Sequence, residues 1–119
     1  MMHATDPSGA AGGPDAYVGP AALRASGAGP AVLDVRDADE HAAGHPPGAW
    51  HPPGDELPRR LAQVPRGRPV VTVCTMRHRL ASRSERAAAL LRGSGPEARA
   101  LDGGFPAWAA TGYPVERGA

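Results

Sequence analysis

Among 119 residues there is one cysteine, Cys74, and its surroundings are those of a nucleophile. It closes an apolar, largely β-branched run, Val70-Val71-Thr72-Val73, of the length of a buried strand. Eight residues, Thr75 to Ser82, follow it, and Arg77, His78 and Arg79 among them are basic. Ser82 and Glu85 then stand at the spacing of a capping box. That spacing predicts a helix beginning at Arg83 and running to Arg92, with Ala87, Leu90 and Leu91 on its apolar face. A thiol at a strand end, a basic loop and a helix whose amino end faces back form an anion site around a nucleophile.

The chemistry open to such a site runs through the thiolate. A free cysteine ionises near a pKa of about 8.5, and a helix amino terminus with nearby arginines favours the anion. Successive backbone N–H groups in a tight loop make a concave anion receptor. The guanidinium forks of Arg77, Arg79 and Arg83 suit an oxyanion such as a sulfonate. Thiolate attack on sulfur is an exchange, so neither an acid–base residue nor a cofactor is called for. His78 is either a loop acid or a solvated side chain. A lone buried cysteine is more often a small core residue; placement at a strand end beside the basic loop favours chemistry.

Those residues need a frame to position them. Residues 1–16, rich in Gly, Ala, Pro and Asp, have almost nothing to bury and read as a disordered tail, leaving a domain over 17–117. Tyr17-Val18 suits a short first strand, and Pro20 to Ala25 a short helix with proline in its first turn. Ala31 to Val35 is a second buried strand, followed by Asp37 as N-cap and Glu40 three residues on, for a helix through Ala43. Ala49-Trp50-His51 suggests a brief strand. Asp55 to Val64 places Leu57, Leu61 and Val64 on one helical face, with Pro58 in the first turn. Ala98 to Leu101 is a last strand, Asp102-Gly103-Gly104 a turn, and Phe105 to Thr111 a helix. Strands alternating with helices imply an α/β fold with a mostly parallel sheet, whose ligands sit beyond the strand carboxyl ends. Asp34, Arg36 and Asp102 share that rim with Cys74. Asp34 and Asp102 are suited to fixing the loop by accepting backbone hydrogen bonds.

Composition narrows the partners. A formal charge of +1 gives no support to nucleic-acid or membrane binding, but residues 66–92 hold seven arginines against the single Glu85, so positive charge gathers around the thiol. One cysteine excludes an internal disulfide. No run approaches the roughly 18 apolar residues of a membrane span, and the amino terminus lacks the pattern of a signal peptide. A cytoplasmic, reducing setting is expected. His41 and His45, four apart, could with His51 suggest a metal site, but Gly44 and two prolines break the helix this needs, so no metal is expected.

Several separated motifs resemble the single-domain rhodanese-like sulfurtransferases. Ala31 to Arg36 with Glu40 is similar to that family's first signature strand, and Gly44-His45-Pro46-Pro47-Gly48-Ala49 to its Gly-His-Ile-Pro-Gly-Ala turn. Val70 to Cys74 is similar to the strand delivering the catalytic cysteine. Leu101-Asp102-Gly103-Gly104, with Trp108, Gly112, Pro114 and Val115, resembles the closing motif. The resemblance implies a rhodanese-like three-layer sandwich around a five-stranded parallel sheet. It implies that Cys74 takes a sulfane sulfur from a donor such as thiosulfate. The resulting persulfide would pass the sulfur to a thiophilic acceptor, cyanide or a protein thiol. Arg77, His78, Arg79 and Arg83 would bind substrate; Asp34, Arg36, Ser82 and Asp102 would support the loop.

The family's usual loop has four residues between Cys and Arg-Ser. Either Arg79 stands at that spacing but is followed by Leu80, or Arg83-Ser84 is that pair with four extra residues before it; the second alignment is preferred because it keeps the following helix ungapped. Pro46 also replaces the usual isoleucine, and His41 the usual aromatic residue. Two other functions compete. A cysteine-dependent phosphatase or arsenate reductase needs an arginine after five intervening residues, where this chain has Leu80. A non-catalytic binding module would present the same pocket to a protein partner, which retention of Cys74 and the basic loop argues against.

Overall fold

In the core of this chain one parallel sheet has apolar clusters on both faces. The computed structural model describes residues 16–27, 29–52, 54–64, 67–75, 83–95 and 97–118. The tail expected over 1–16 lies outside the described residues except for Ala16.

Four strands, β1 (Tyr17–Val18), β2 (Ala31–Asp34), β3 (Val70–Val73) and β4 (Ala98–Leu101), pair in the order β1-β4-β3-β2, all parallel. Between them run α1 (Pro20–Ala25), α2 (Ala38–Ala43) and α3 (Arg83–Ser94), and α4 (Gly104–Ala110) follows β4. The period-2 alternation of β3 decides the layers. Val70 joins Leu33, Ala98, Leu57, Val64 and the α3 residues Ala87, Ala88 and Leu91 in one cluster. Val71 and Val73 point the other way, to Leu23, Leu101 and Trp108. Continuing the alternation puts Thr72 and Cys74 on the α3 side. Thr72 Oγ1 donates to the Ser84 carbonyl at 2.6 Å, and Cys74 belongs to the α3-side cluster.

The structure differs from expectation in three places. The fifth strand is reduced to one parallel bridge, Trp50 to Leu33. Prolines at 46, 47, 52 and 53 flank it on both sides and leave too few N–H donors for a longer ladder. Second, Gly54–Gln63 is a ten-residue 3₁₀ helix, not an α-helix, with Pro58 inside. Proline removes an i→i−4 bond and crowds the carbonyl behind it, whereas the tighter winding leaves Leu57 and Val64 buried. Third, α3 runs on through Gly93 to Ser94, past its expected end at Arg92.

Candidate functional site

Cys74 sits at the carboxyl end of β3 and is 2 % exposed. Its Sγ donates to Ser84 Oγ at 3.1 Å. Ser84 is the second residue of α3, where backbone N–H groups have no intrahelical acceptor, so the thiol faces the positive end of the helix. Two other elements, α4 and α2, hold the cysteine's backbone and its neighbour. The Cys74 carbonyl accepts from Phe105 N–H at 2.8 Å, at the start of α4. Thr75 Oγ1 donates to Glu40 Oε2 at 2.8 Å. Glu40 also accepts from the Asp37 N–H at 3.2 Å, the back-reaching half of the expected capping box.

The turn before α4 makes the Phe105 contact possible. Gly103 has φ +79°, and a Cβ there would lie 2.6 Å from that of Ala107. Glycine is therefore required on both conformational and steric grounds. Asp102 N–H donates to Val18 O at 2.8 Å, so this residue ties β4 to β1, while the turn reaches Cys74 through Phe105.

Asp34 and Arg36 build the neighbouring strand end. Asp34 is wholly buried and accepts from Arg36 N–H at 3.0 Å, Arg36 Nε at 2.9 Å and Arg36 Nη2 at 2.7 Å. His41 Nδ1 lies 2.8 Å from Oδ2, the oxygen that also accepts from Arg36 Nη2. Burial pushes the Asp34 carboxyl up, but the hydrogen bonds from Arg36 and His41 outweigh it and hold the group below its ordinary value. Arg36 also donates to Gly44 O at 2.5 Å and lies over the Phe105 ring, 4.5 Å from its centroid. The support given by Asp34 and Arg36 thus passes to α2, the Gly44 turn and Phe105.

The three histidines form a stack. The His41 ring lies 3.7 Å from His45 and 4.5 Å from His51, nearly parallel to both. His51 Nε2 is 2.7 Å from Arg36 O, and His45 Nδ1 is 2.6 Å from His41 O. Burial pushes the His41 imidazole below its usual value; the Asp34 hydrogen bond opposes this, and charge on His45 and His51 adds to it. Parallel rings direct their nitrogens side by side instead of toward one point, which is the geometry of packing and not of ligation.

Arg83 is half-exposed. Its Nη1 donates to Val35 O at 3.1 Å and to Asp37 Oδ1 at 3.3 Å. Arg77, His78, Arg79 and Ser82 lie outside the described residues. Glu85, proposed as the partner of Ser82, is buried and accepts from the Tyr17 hydroxyl. Ser84 and Thr72 are the residues that reading the sequence for chemistry passed over. The Arg83-Ser84 pair signals the first; the single polar residue within an apolar strand signals the second. A cavity of about 390 Å³ between Ala31, Trp50, Val64 and Val70 lies at the amino ends of β2 and β3, remote from Cys74.

The chain has relatives among known proteins. The Rhodanese-like domain family matches residues 20–111. The chain belongs to the rhodanese-like family. It is 38% identical over 96 residues to the thiosulfate sulfurtransferase GlpE of Pseudomonas entomophila, covering 80% of this chain and 82% of that one. It is also 38% identical over 88 residues to an HTH-type transcriptional regulator of Mycobacterium tuberculosis, 74% of this chain but only 38% of the regulator. In structure it is similar to a rhodanese-related protein from Thermoplasma volcanium. That match has a TM-score of 0.76 at 26% identity and covers 84% of this chain and 96% of the other. A thiosulfate sulfurtransferase from Pseudomonas aeruginosa gives 0.74 at 28% identity, over 86% of this chain and 19% of that one. The rhodanese-like α/β fold is thus established. No helix among the described residues is long and apolar enough to cross a membrane.

Proposed function

We propose that this chain is a sulfurtransferase that carries sulfane sulfur on Cys74. The observation that carries the reading is the thiol at the carboxyl end of β3, 3.1 Å from Ser84 Oγ in the first turn of α3. The Cys74 thiolate attacks the outer sulfur of thiosulfate. A new S–S bond forms to Cys74, the bond to the sulfonate sulfur breaks, and sulfite leaves with the electron pair. The terminal persulfide sulfur keeps one negative charge. The Ser84 hydroxyl can rotate to donate to sulfur once Cys74 is ionised, and the α3 dipole favours the anion before and after transfer. Arg83 orients the donor's sulfonate, because its exposed pairing with Asp37 is weak and exchangeable. Arg77, His78 and Arg79 complete the cationic loop, and Ser82 supports it. An acceptor, either a small thiophile or a protein thiol, then removes the sulfur and restores the thiolate.

Incubation with thiosulfate should add one sulfur atom to the intact protein by mass spectrometry, and Cys74→Ala should take up none. An unmodified wild-type mass under excess donor would sink this reading and favour a non-catalytic binding module.

A further inference from the structure

The first three residues of α3 are each tied to a different part of the sheet. Arg83 donates to Val35 O, just past β2, and pairs with Asp37. Ser84 accepts from the Cys74 thiol at its hydroxyl and from the Thr72 hydroxyl at its carbonyl, both on the β3 side. Glu85 accepts from the hydroxyl of Tyr17 on β1. β1 is the opposite edge of the sheet from β2, and β4 lies between it and β3, so this contact spans β4. Small residues make the crossing possible. Ala98 and Ala100 are buried, two apart, on the face of β4 that α3 covers. Tyr17 stands beside Ala100 in the register and in the same cluster.

Packing alone does not call for an acid here. Glu85 is 2% exposed, and an apolar side chain at this position would avoid the cost of stripping a carboxylate of water. The helix dipole favours an acid in the first turn, but an exposed one gains that without burial. What the pair adds is direction, because a hydrogen bond weakens steeply as its partners move out of line. It therefore fixes where the start of α3 stands over the sheet. The adjoining Ser84 hydroxyl is short, so a small shift of this turn takes it away from Cys74 Sγ, now 3.1 Å distant. The Arg83 tie cannot replace the Glu85 one. Its pairing with Asp37 is exposed, and under the proposed function the donor's sulfonate draws Arg83 away.

We propose that Tyr17 and Glu85 are positioning residues for sulfur transfer, holding the amino end of α3 so that Ser84 stays on the thiol while Arg83 turns to the donor. The proposal rests on the sulfurtransferase reading and adds two residues from outside the strand-end rim. Neither touches the reacting sulfur; both act through Ser84. The bonds made and broken are those of the loading step, with Cys74 joined to the donor's outer sulfur and sulfite leaving with the electron pair. The pair governs the rate of that step by keeping the Ser84 hydroxyl and the α3 end on the ionised sulfur.

The test is single-turnover loading, followed by intact mass over a range of thiosulfate concentrations, with denaturant midpoints measured on the same proteins. Tyr17→Phe combined with Glu85→Leu replaces the pair by apolar groups and should leave the midpoint close to that of the wild type. Its maximal loading rate should nevertheless fall about five-fold, the worth of one hydrogen bond. The half-saturating thiosulfate concentration should not change, because the long Arg83 side chain absorbs a shift that Ser84 cannot. Glu85→Gln keeps an acceptor for the Tyr17 hydroxyl and should load close to the wild-type rate. Tyr17→Phe alone, which removes only the hydroxyl, should slow loading as the double variant does, and it decides the matter if the double variant does not fold. Hydroxyl-free variants that load at the wild-type maximal rate, or Glu85→Gln slowed as much as they are, would overturn the positioning role alone. Wild-type protein that takes up no sulfur would overturn the sulfurtransferase reading and the positioning role with it.

Discussion

Strands β2 and β3 lie side by side, with Asp34 opposite Val73 in the register, yet their carboxyl ends are built in opposite ways. The β2 end is filled with charge. Asp34 takes four hydrogen bonds from Arg36 and His41, and Arg36 spends its remaining reach on Gly44 and Phe105. The β3 end carries a single thiol whose Sγ, among the described residues, bonds one hydroxyl, that of Ser84. A buried ion pair is tolerated only when its members are satisfied nearly completely, and once satisfied it is rigid. A nucleophile must keep bonding capacity for its substrate. Under the proposed function, the contrast gives positioning to one strand end and reaction to its neighbour.

The strongest way to break the comparison is Asp34→Asn. It leaves the Arg36 guanidinium buried without its counter-charge and should cost about 3–5 kcal/mol, read as a drop in the denaturant midpoint. A near-neutral result would mean that the network does not hold the rim.

Ser84→Ala probes the other side. Removing the thiol's hydroxyl partner should cost stability only about 1 kcal/mol, yet slow sulfur loading from thiosulfate about ten-fold. Equal effects on stability and loading would erase the distinction between the two strand ends.

The smallest effect sharpens the β2 side through pH. His41 titrates below its ordinary value and Asp34 below its own. In both cases the unfolded chain binds more protons than the folded one as pH falls, so both shifts make stability decline on acidification. The His41 contribution is complete above the free-histidine pKa of 6.5 and is lost as pH falls toward the lowered folded value. The Asp34 contribution begins to go only below 3.8. His41→Gln retains a donor for Asp34 but cannot titrate there. The decline that sets in below about pH 6.5 should flatten in thermal melts of this variant. An unchanged slope would show that His41 is not the source of the acid sensitivity.

Reading the chain alone placed all four strands, because short β-branched runs bounded by Gly and Pro have few alternatives in a domain of this size. It also found the thiol and the helix after it. It overreached where proline decides the backbone. Trp50 keeps one bridge instead of a strand, and Pro58 turns an amphipathic pattern with α-helical spacing into a 3₁₀ helix. Local periodicity reports which side chains face inward, but not which hydrogen-bond pattern a missing N–H permits.

What the sequence determined by itself is the chemistry available: one thiol, at the end of an apolar run, before a helix that begins with Arg83-Ser84. Alternation along β3 even dictates that Val70, Thr72 and Cys74 share a face. Only the tertiary structure decided what lies against that face and beside it. That Ser84 reaches Cys74, that Glu85 accepts from the Tyr17 hydroxyl, and that His51 stacks on His41 beside Asp34 depend on contacts between segments apart in sequence. Burial makes such contacts strong, and no spacing along the chain encodes them.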